Sequence, residues 1–173
     1  MAAMQADKPT QIFMKNLNIT AKISVCTYEE LNLEEKMLID SAKRAALDAY
    51  APYSHFQVGA AALLENGEII AGSNQENAAF PSGLCAERTA VFYANSHFPD
   101  KAVTSLAVAA FTDGDFIQEP VSPCGSCRQV ILETEKRYKQ KVKIYLYGKK
   151  EIYVIEKIGD LLPLSFDGSS LNI

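Results

Sequence analysis

The sequence lacks a surplus of positive charge, a long apolar run and an export signal, and each absence removes a class of function. Seventeen Lys and Arg stand against twenty-one Asp and Glu in 173 residues, a formal charge of −4. That balance repels a phosphate backbone and disfavours a nucleic-acid partner. No stretch approaches the roughly 18 apolar residues of a membrane span, and the start MAAMQADKPT has no apolar signal core, so a cytoplasmic protein without membrane attachment is expected. Internal repeats, linkers and low-complexity segments are also missing. Only four cysteines occur, and in a chain with no export signal they read as free thiols or metal ligands rather than disulfides.

What is present is a globular composition, 48% hydrophobic, in a chain long enough for one sizeable core and an appendage. Residues 1–30 are expected to be an N-terminal extension, a polar leader over 1–13 followed by an additional strand, with Met14 an alternative start. Leu17, Ile19, Ala21, Ile23 and Val25 alternate with mostly polar residues, which predicts a half-buried strand over 17–25. Residues 31–173 are expected to form a single domain. A helix is predicted over roughly 33–50, with Leu38, Ala42, Ala45 and Ala49 on one stripe and Pro52 just beyond its end.

Two apolar runs joined by Asn66-Gly67 predict a hairpin. A second helix is expected to open at Cys85, and VTSLAVAAF (103–111) reads as a strand covered on both faces. The third helix begins at the Cys124 and Cys127 pair, and two further strands and a short tail, LLPLSFDGSSL, complete the chain. This order predicts an α/β fold, a three-layer α/β/α sandwich with a central mixed sheet of about five strands. If the strands preceding the two cysteine-bearing helices are neighbours, both helix starts converge at one sheet edge, where ligands of open α/β sheets bind.

GLCAERTA (83–90) and SPCGSCRQV (122–130) then acquire a chemical reading. Three thiols, Cys85, Cys124 and Cys127, match a catalytic zinc site, which takes three protein ligands and leaves a fourth position for water. Glu87, two residues past the first thiol, stands where a proton shuttle is needed. Three thiolates around a dication leave a net charge of −1, so Arg88 and the two helix N-termini are expected to draw charge off the sulfurs.

Plainer readings stand beside these. A Cys-x-x-Cys pair by itself suits a redox couple or half of a structural zinc site. Cys26 could close the site as a fourth ligand, but its strand position suits a semi-buried thiol. Glu87 alone would be a first-turn acid at a helix start; Asn74, Glu76 and Asn77 would be a polar loop, and Phe56 a core residue. His55 and His97, the only histidines, read as structural.

CAERTA and SPCGSCRQV, preceded by YSHFQVGAA (53–61) and NQENA (74–78), strongly resemble the small, three-cysteine, homotetrameric cytidine deaminases, over about residues 50–171. The resemblance implies one Zn2+ per subunit on Cys85, Cys124 and Cys127, and Glu87 shuttling protons as zinc-bound hydroxide attacks C4 of cytosine and ammonia leaves. It implies hydrolytic deamination of cytidine and 2′-deoxycytidine in pyrimidine salvage. Asn74 and Glu76 would bind the ribose hydroxyl, Phe56 would pack on the base, and the backbone of Ala86 and Ser122 would read the pyrimidine edge and the amino group. Phe166 would reach a neighbouring subunit's site, so active sites would be shared in a homotetramer. Gln57 stands where the family commonly has Pro, and Asp167-Gly168 where it has Gly-Pro. Deamination of another aminopyrimidine such as blasticidin S, or a catalytically inactive structural zinc protein, are the alternatives.

Overall fold

The structure is a computed structural model that describes residues 14–171; the polar leader expected over 1–13 lies outside the described residues. The chain runs β1 (Ser24–Cys26), α1 (Leu33–Leu47), β2 (Gln57–Leu64), β3 (Ile69–Ser73), α2 (Ala86–His97), β4 (Val103–Thr112), β5 (Asp115–Phe116), α3 (Gly125–Tyr138), β6 (Lys143–Tyr147) and β7 (Ile152–Ile155). The strands form one mixed sheet in the order β1-β7-β6-β4-β2-β3, with β5 paired to β4. Among these strands only β4 and β6 pair in parallel, joined by the crossover through α3.

Strand alternation sorts the core into two layers. Ala60, Ala62 and Leu64 of β2, Leu106 and Val108 of β4, and Ile144 and Leu146 of β6 pack against Ala90, Val91 and Ala94 of α2 and Ile131 of α3. Their neighbours Ala61, Leu63, Ala107, Ala109, Tyr145 and Tyr147 pack against Leu38, Ile39 and Ala42 of α1. The result is the expected α/β/α sandwich. The sheet has seven strands rather than about five because β1 and β5, three and two residues long, are added to it. The β5 turn has a sequence signal after all: Asp113 and Gly114 both take positive φ, 51° and 81°, as an Asp-Gly hairpin turn requires.

Two expectations are corrected. The strand predicted over 17–25 survives only as Ser24–Cys26, pairing with Ile152–Val154 of β7. Leu17, Ile19, Ile23 and Val25 are exposed, because no element among the described residues covers the alternating face. The first helix ends at Leu47 instead of 50, because Tyr50 is drawn out of it: its N–H donates to Asn74 O (3.1 Å), and its carbonyl accepts from Glu76 N (2.9 Å). At the other end of α1 a reciprocal cap holds, Glu35 N donating to Asn32 Oδ1 and Asn32 N to Glu35 Oε2, both at 3.0 Å. The buried stripe is therefore Leu38, Ile39, Ala42 and Ala46.

The segment leading into α1 is anchored by Tyr28, whose hydroxyl donates to Asp40 Oδ2 (2.7 Å). Lys43 Nζ lies over the rings of Tyr28, Phe116 and Tyr147 at 5.6, 5.2 and 4.8 Å, within cation–π range. Among the described residues no helix is long and apolar enough to cross a membrane.

Helix placement depends on two close backbone approaches. A Cβ on Gly59 would overlap Ala42 O of α1, and one on Gly72 would lie 2.5 Å from Ala90 N of α2. Gly72→Val is therefore expected to cost about 1–3 kcal/mol, read as a lowered thermal midpoint with loss of bound metal, since α2 carries Cys85.

Candidate active site

The long strands that lead to the two cysteine-bearing helices, β3 and, through the short β5 hairpin, β4, are not neighbours, contrary to the condition framed from the sequence: β2 lies between them. Convergence is achieved another way. Both strands are antiparallel to β2, so β3 and β4 run the same direction and release the chain at the same sheet edge. There α2 opens with Cys85 as its N-cap and α3 with Cys124 as its N-cap, both in extended backbone conformation. Neither thiol caps its own helix, so the sulfurs are free to face one another.

Cys85 Sγ lies 3.7 Å from Cys124 Sγ, which lies 3.5 Å from Cys127 Sγ, and the three sulfurs fall within 4.8 Å of one another. A tetrahedral zinc with Zn–S bonds of about 2.3 Å sets its sulfurs about 3.8 Å apart, so the thiols present fit that ion. Cys26 is on β1 at the opposite side of the sheet and does not join the cluster. The thiols are inequivalent. Hydrogen bonding with Cys127, and then with Arg88, draws Cys85 down to about 5. Its bond with Cys85, together with burial, pushes Cys127 upward.

Glu87, in the first turn of α2, is 5% exposed. Burial pushes its carboxyl above the ordinary glutamate value. It is one of the few buried polar side chains among the described residues, and it borders a cavity of about 540 Å³ together with Cys85 and Cys124. Arg88 reaches back one turn, its Nη2 3.7 Å from Cys85 Sγ, and its buried Nε makes no hydrogen bond.

The remaining wall of the cavity comes from the start of β2 and the segment after β3, which the antiparallel pairing brings to the same edge. Phe56, Asn74, Glu76 and Ser122 all line it. Asn74 also ties the wall together locally, its Oδ1 accepting from Val58 N (2.7 Å) and its Nδ2 donating to Phe56 O (3.0 Å). Glu76 Oε2 accepts from Tyr53 N (2.9 Å) and Ser54 N (3.3 Å). The Ser54 hydroxyl and these backbone donors hold its carboxyl below the usual value.

Two expected residues do not line this cavity. The Ala86 side chain is fully buried, so only its backbone could serve, and Phe166 is 60% exposed and stands outside. Tyr53, Phe80, Leu84 and Val121 line the cavity as well, and sequence reasoning missed them. Their signal was weak, because isolated apolar residues in polar loops carry no periodicity.

Three clustered thiols at two helix starts, with a buried carboxylate opening on an adjoining cavity, define a zinc-dependent hydrolytic site. Similarity to known proteins specifies it. Residues 33–143 match the family described as the cytidine and deoxycytidylate deaminase zinc-binding region. A cytidine deaminase from Halalkalibacterium halodurans is 40% identical over 140 residues, 81% of this chain and 99% of the relative; one from Sporosarcina psychrophila is 41% identical, covering 81% and 96%. The crystal structure of cytidine deaminase from Burkholderia pseudomallei superposes with a TM-score of 0.63 at 40% identity, covering 75% of this chain and 97% of that one. The chain belongs to the zinc-dependent cytidine and deoxycytidylate deaminase family.

Replacing Cys85, Cys124 or Cys127 by serine is expected to abolish stoichiometric zinc, measured by atomic absorption, while Cys26→Ser retains it.

Proposed function

We propose that the protein hydrolytically deaminates free cytidine and 2′-deoxycytidine to uridine and 2′-deoxyuridine in pyrimidine salvage, and that Glu87 carries the protons. The observation that supports this most is Glu87 itself, a carboxylate buried beside three clustered thiols yet bordering a nucleoside-sized cavity. The relatives named above as cytidine deaminases support the substrate class.

Cys85, Cys124 and Cys127 would hold the zinc, which when bound would lower the pKa of a water and so supply the nucleophile for C4 of the base. Glu87 accepts the proton released by the water as the C4–O bond forms. It passes that proton to N3 of the base, then takes the second proton from the hydroxyl now on C4 and gives it to the departing amino group, so that the C4–N bond breaks with loss of ammonia and C4 is left as a carbonyl. Burial suits it to both roles, since a raised pKa brings acid and base forms closer together near neutral pH. Arg88, beside Cys85 Sγ, offsets the excess negative charge of three thiolates. Phe56 packs on the base, while the backbone of Ala86 and Ser122 reads its edge.

Asn74 and Glu76 receive the sugar. With Oε2 of Glu76 committed to Tyr53 and Ser54, Oε1 is left to accept a ribose hydroxyl. A carboxylate there repels a phosphate, so the free nucleosides are favoured over the nucleotide. Phe166, exposed and outside its own chain's cavity, completes the site of a neighbouring subunit in a homotetramer.

Ammonia release from cytidine and deoxycytidine is expected to exceed that from cytosine and deoxycytidine monophosphate by at least tenfold; equal turnover of the monophosphate would refute the sugar assignment. Glu87→Gln should retain zinc and lose about 10²–10⁴-fold in turnover, and full activity in that variant overturns the mechanism. Light scattering should give a tetramer, and Phe166→Ala should raise KM while leaving zinc bound.

A further inference from the structure

Arg128 follows the ligand Cys127 and does not line the cavity beside the sulfur cluster, so the mechanism above gives it no role. Its guanidinium nevertheless makes two hydrogen bonds to backbone. Nε donates to Pro123 O at 2.8 Å, and Nη1 donates to Leu161 O at 2.6 Å. Pro123 is buried and immediately precedes the ligand Cys124. Its carbonyl lies ahead of the N-cap of α3 and so has no donor within that helix.

Leu161 belongs to the C-terminal segment, 33 residues further along the chain. The same helix grips that segment twice more: Gln129 Nε2 donates to Phe166 O (2.9 Å), and Lys136 Nζ pairs with Asp167 Oδ2 (2.8 Å).

We propose that Arg128 is a positioning residue that clamps the Cys124 ligand loop against the C-terminal segment and thereby slows loss of the metal. The inference rests on the zinc-deaminase reading of the site. Cys124 is the N-cap at the end of a loop whose residue Ser122 is exposed. A loop in that position would swing its sulfur away from the cluster unless the backbone beside it were fixed. The charged donor fixes Pro123 O, and Leu161 O fixes the donor in turn.

The residue type follows from the geometry. A guanidinium is planar and donates in several fixed directions at once, so one side chain can bridge two separate carbonyls. A lysine ammonium can serve one of them on a flexible stem. Outer groups that orient metal ligands typically contribute 10–100-fold in metal affinity or activity.

The test follows zinc transfer to a chromogenic chelator, alongside thermal midpoint and ammonia release, in the full chain. Arg128→Met is expected to release zinc about 10–100-fold faster than the unmodified protein, and Arg128→Lys to fall between the two. Gln129→Ala, which loosens the C-terminal segment near Phe166 without touching Pro123, is expected to release zinc at the unmodified rate. A role confined to overall stability would lower the thermal midpoint of Arg128→Met with no change in zinc release, and that result overturns the proposal. If Arg128→Met does not fold, unmodified zinc release in Arg128→Lys overturns it equally. An unmodified protein that binds zinc but does not deaminate defeats the functional reading while the clamp stands or falls on the release rates. One that binds no zinc defeats both.

Discussion

Everything at this site depends on holding Cys85 and Cys124, 39 residues apart in sequence, with their sulfurs 3.7 Å from each other. Neither sulfur is placed by its own loop. Each cysteine is the N-cap residue of a helix, and each helix is fixed by a sheet whose strands β3 and β4 run the same way on either side of β2. Close packing of α2 on Gly72 sets one helix start, and the crossover from β4 to β6 sets the other. Three thiols and a carboxylate gathered in one spot would repel one another once ionised. Two helix N-termini and Arg88, whose Nη2 lies 3.7 Å from Cys85 Sγ, bring positive charge to the same spot.

The same arrangement divides labour within single residues. Asn74 joins β2 to the loop after β3 with both ends of its carboxamide, and it borders the cavity on that account. Glu76 organises the 53–54 turn with one oxygen and has the other to offer. Polar residues that look like loop furniture in the sequence are thus the walls of the site because the backbone they hold is itself the wall. Tyr50 belongs to the same device, since its pairing with residues 74–76 shortens α1 and turns the chain toward Phe56.

The extended N-terminal arm shows how an alternating pattern can mislead. Leu17 to Val25 has the periodicity of a half-buried strand, yet only Ser24–Cys26 pairs, at the free edge of β7. Periodicity reports which face would be buried, whereas burial itself needs something on the other side. The β5 turn is the converse. Asp113-Gly114 carried a hairpin signal into a strand too short to show any periodicity, and two residues sufficed because β4 was already in place.

By itself the sequence determined the α/β class, the Asn66-Gly67 turn, the helix boundaries near the cysteines, the thiol set Cys85, Cys124 and Cys127, and Glu87 and Arg88 beside them. Those features are local: a motif, a cap or a period is written in neighbouring residues. Tertiary structure alone decided that β2 separates the two strands feeding the site, that Asn74 and Glu76 share a cavity wall with Phe56, and that Arg128 joins the ligand loop to a segment 33 residues away. Those are contacts between distant parts of the chain, set by sheet order and helix packing, for which no short stretch of residues carries a signature.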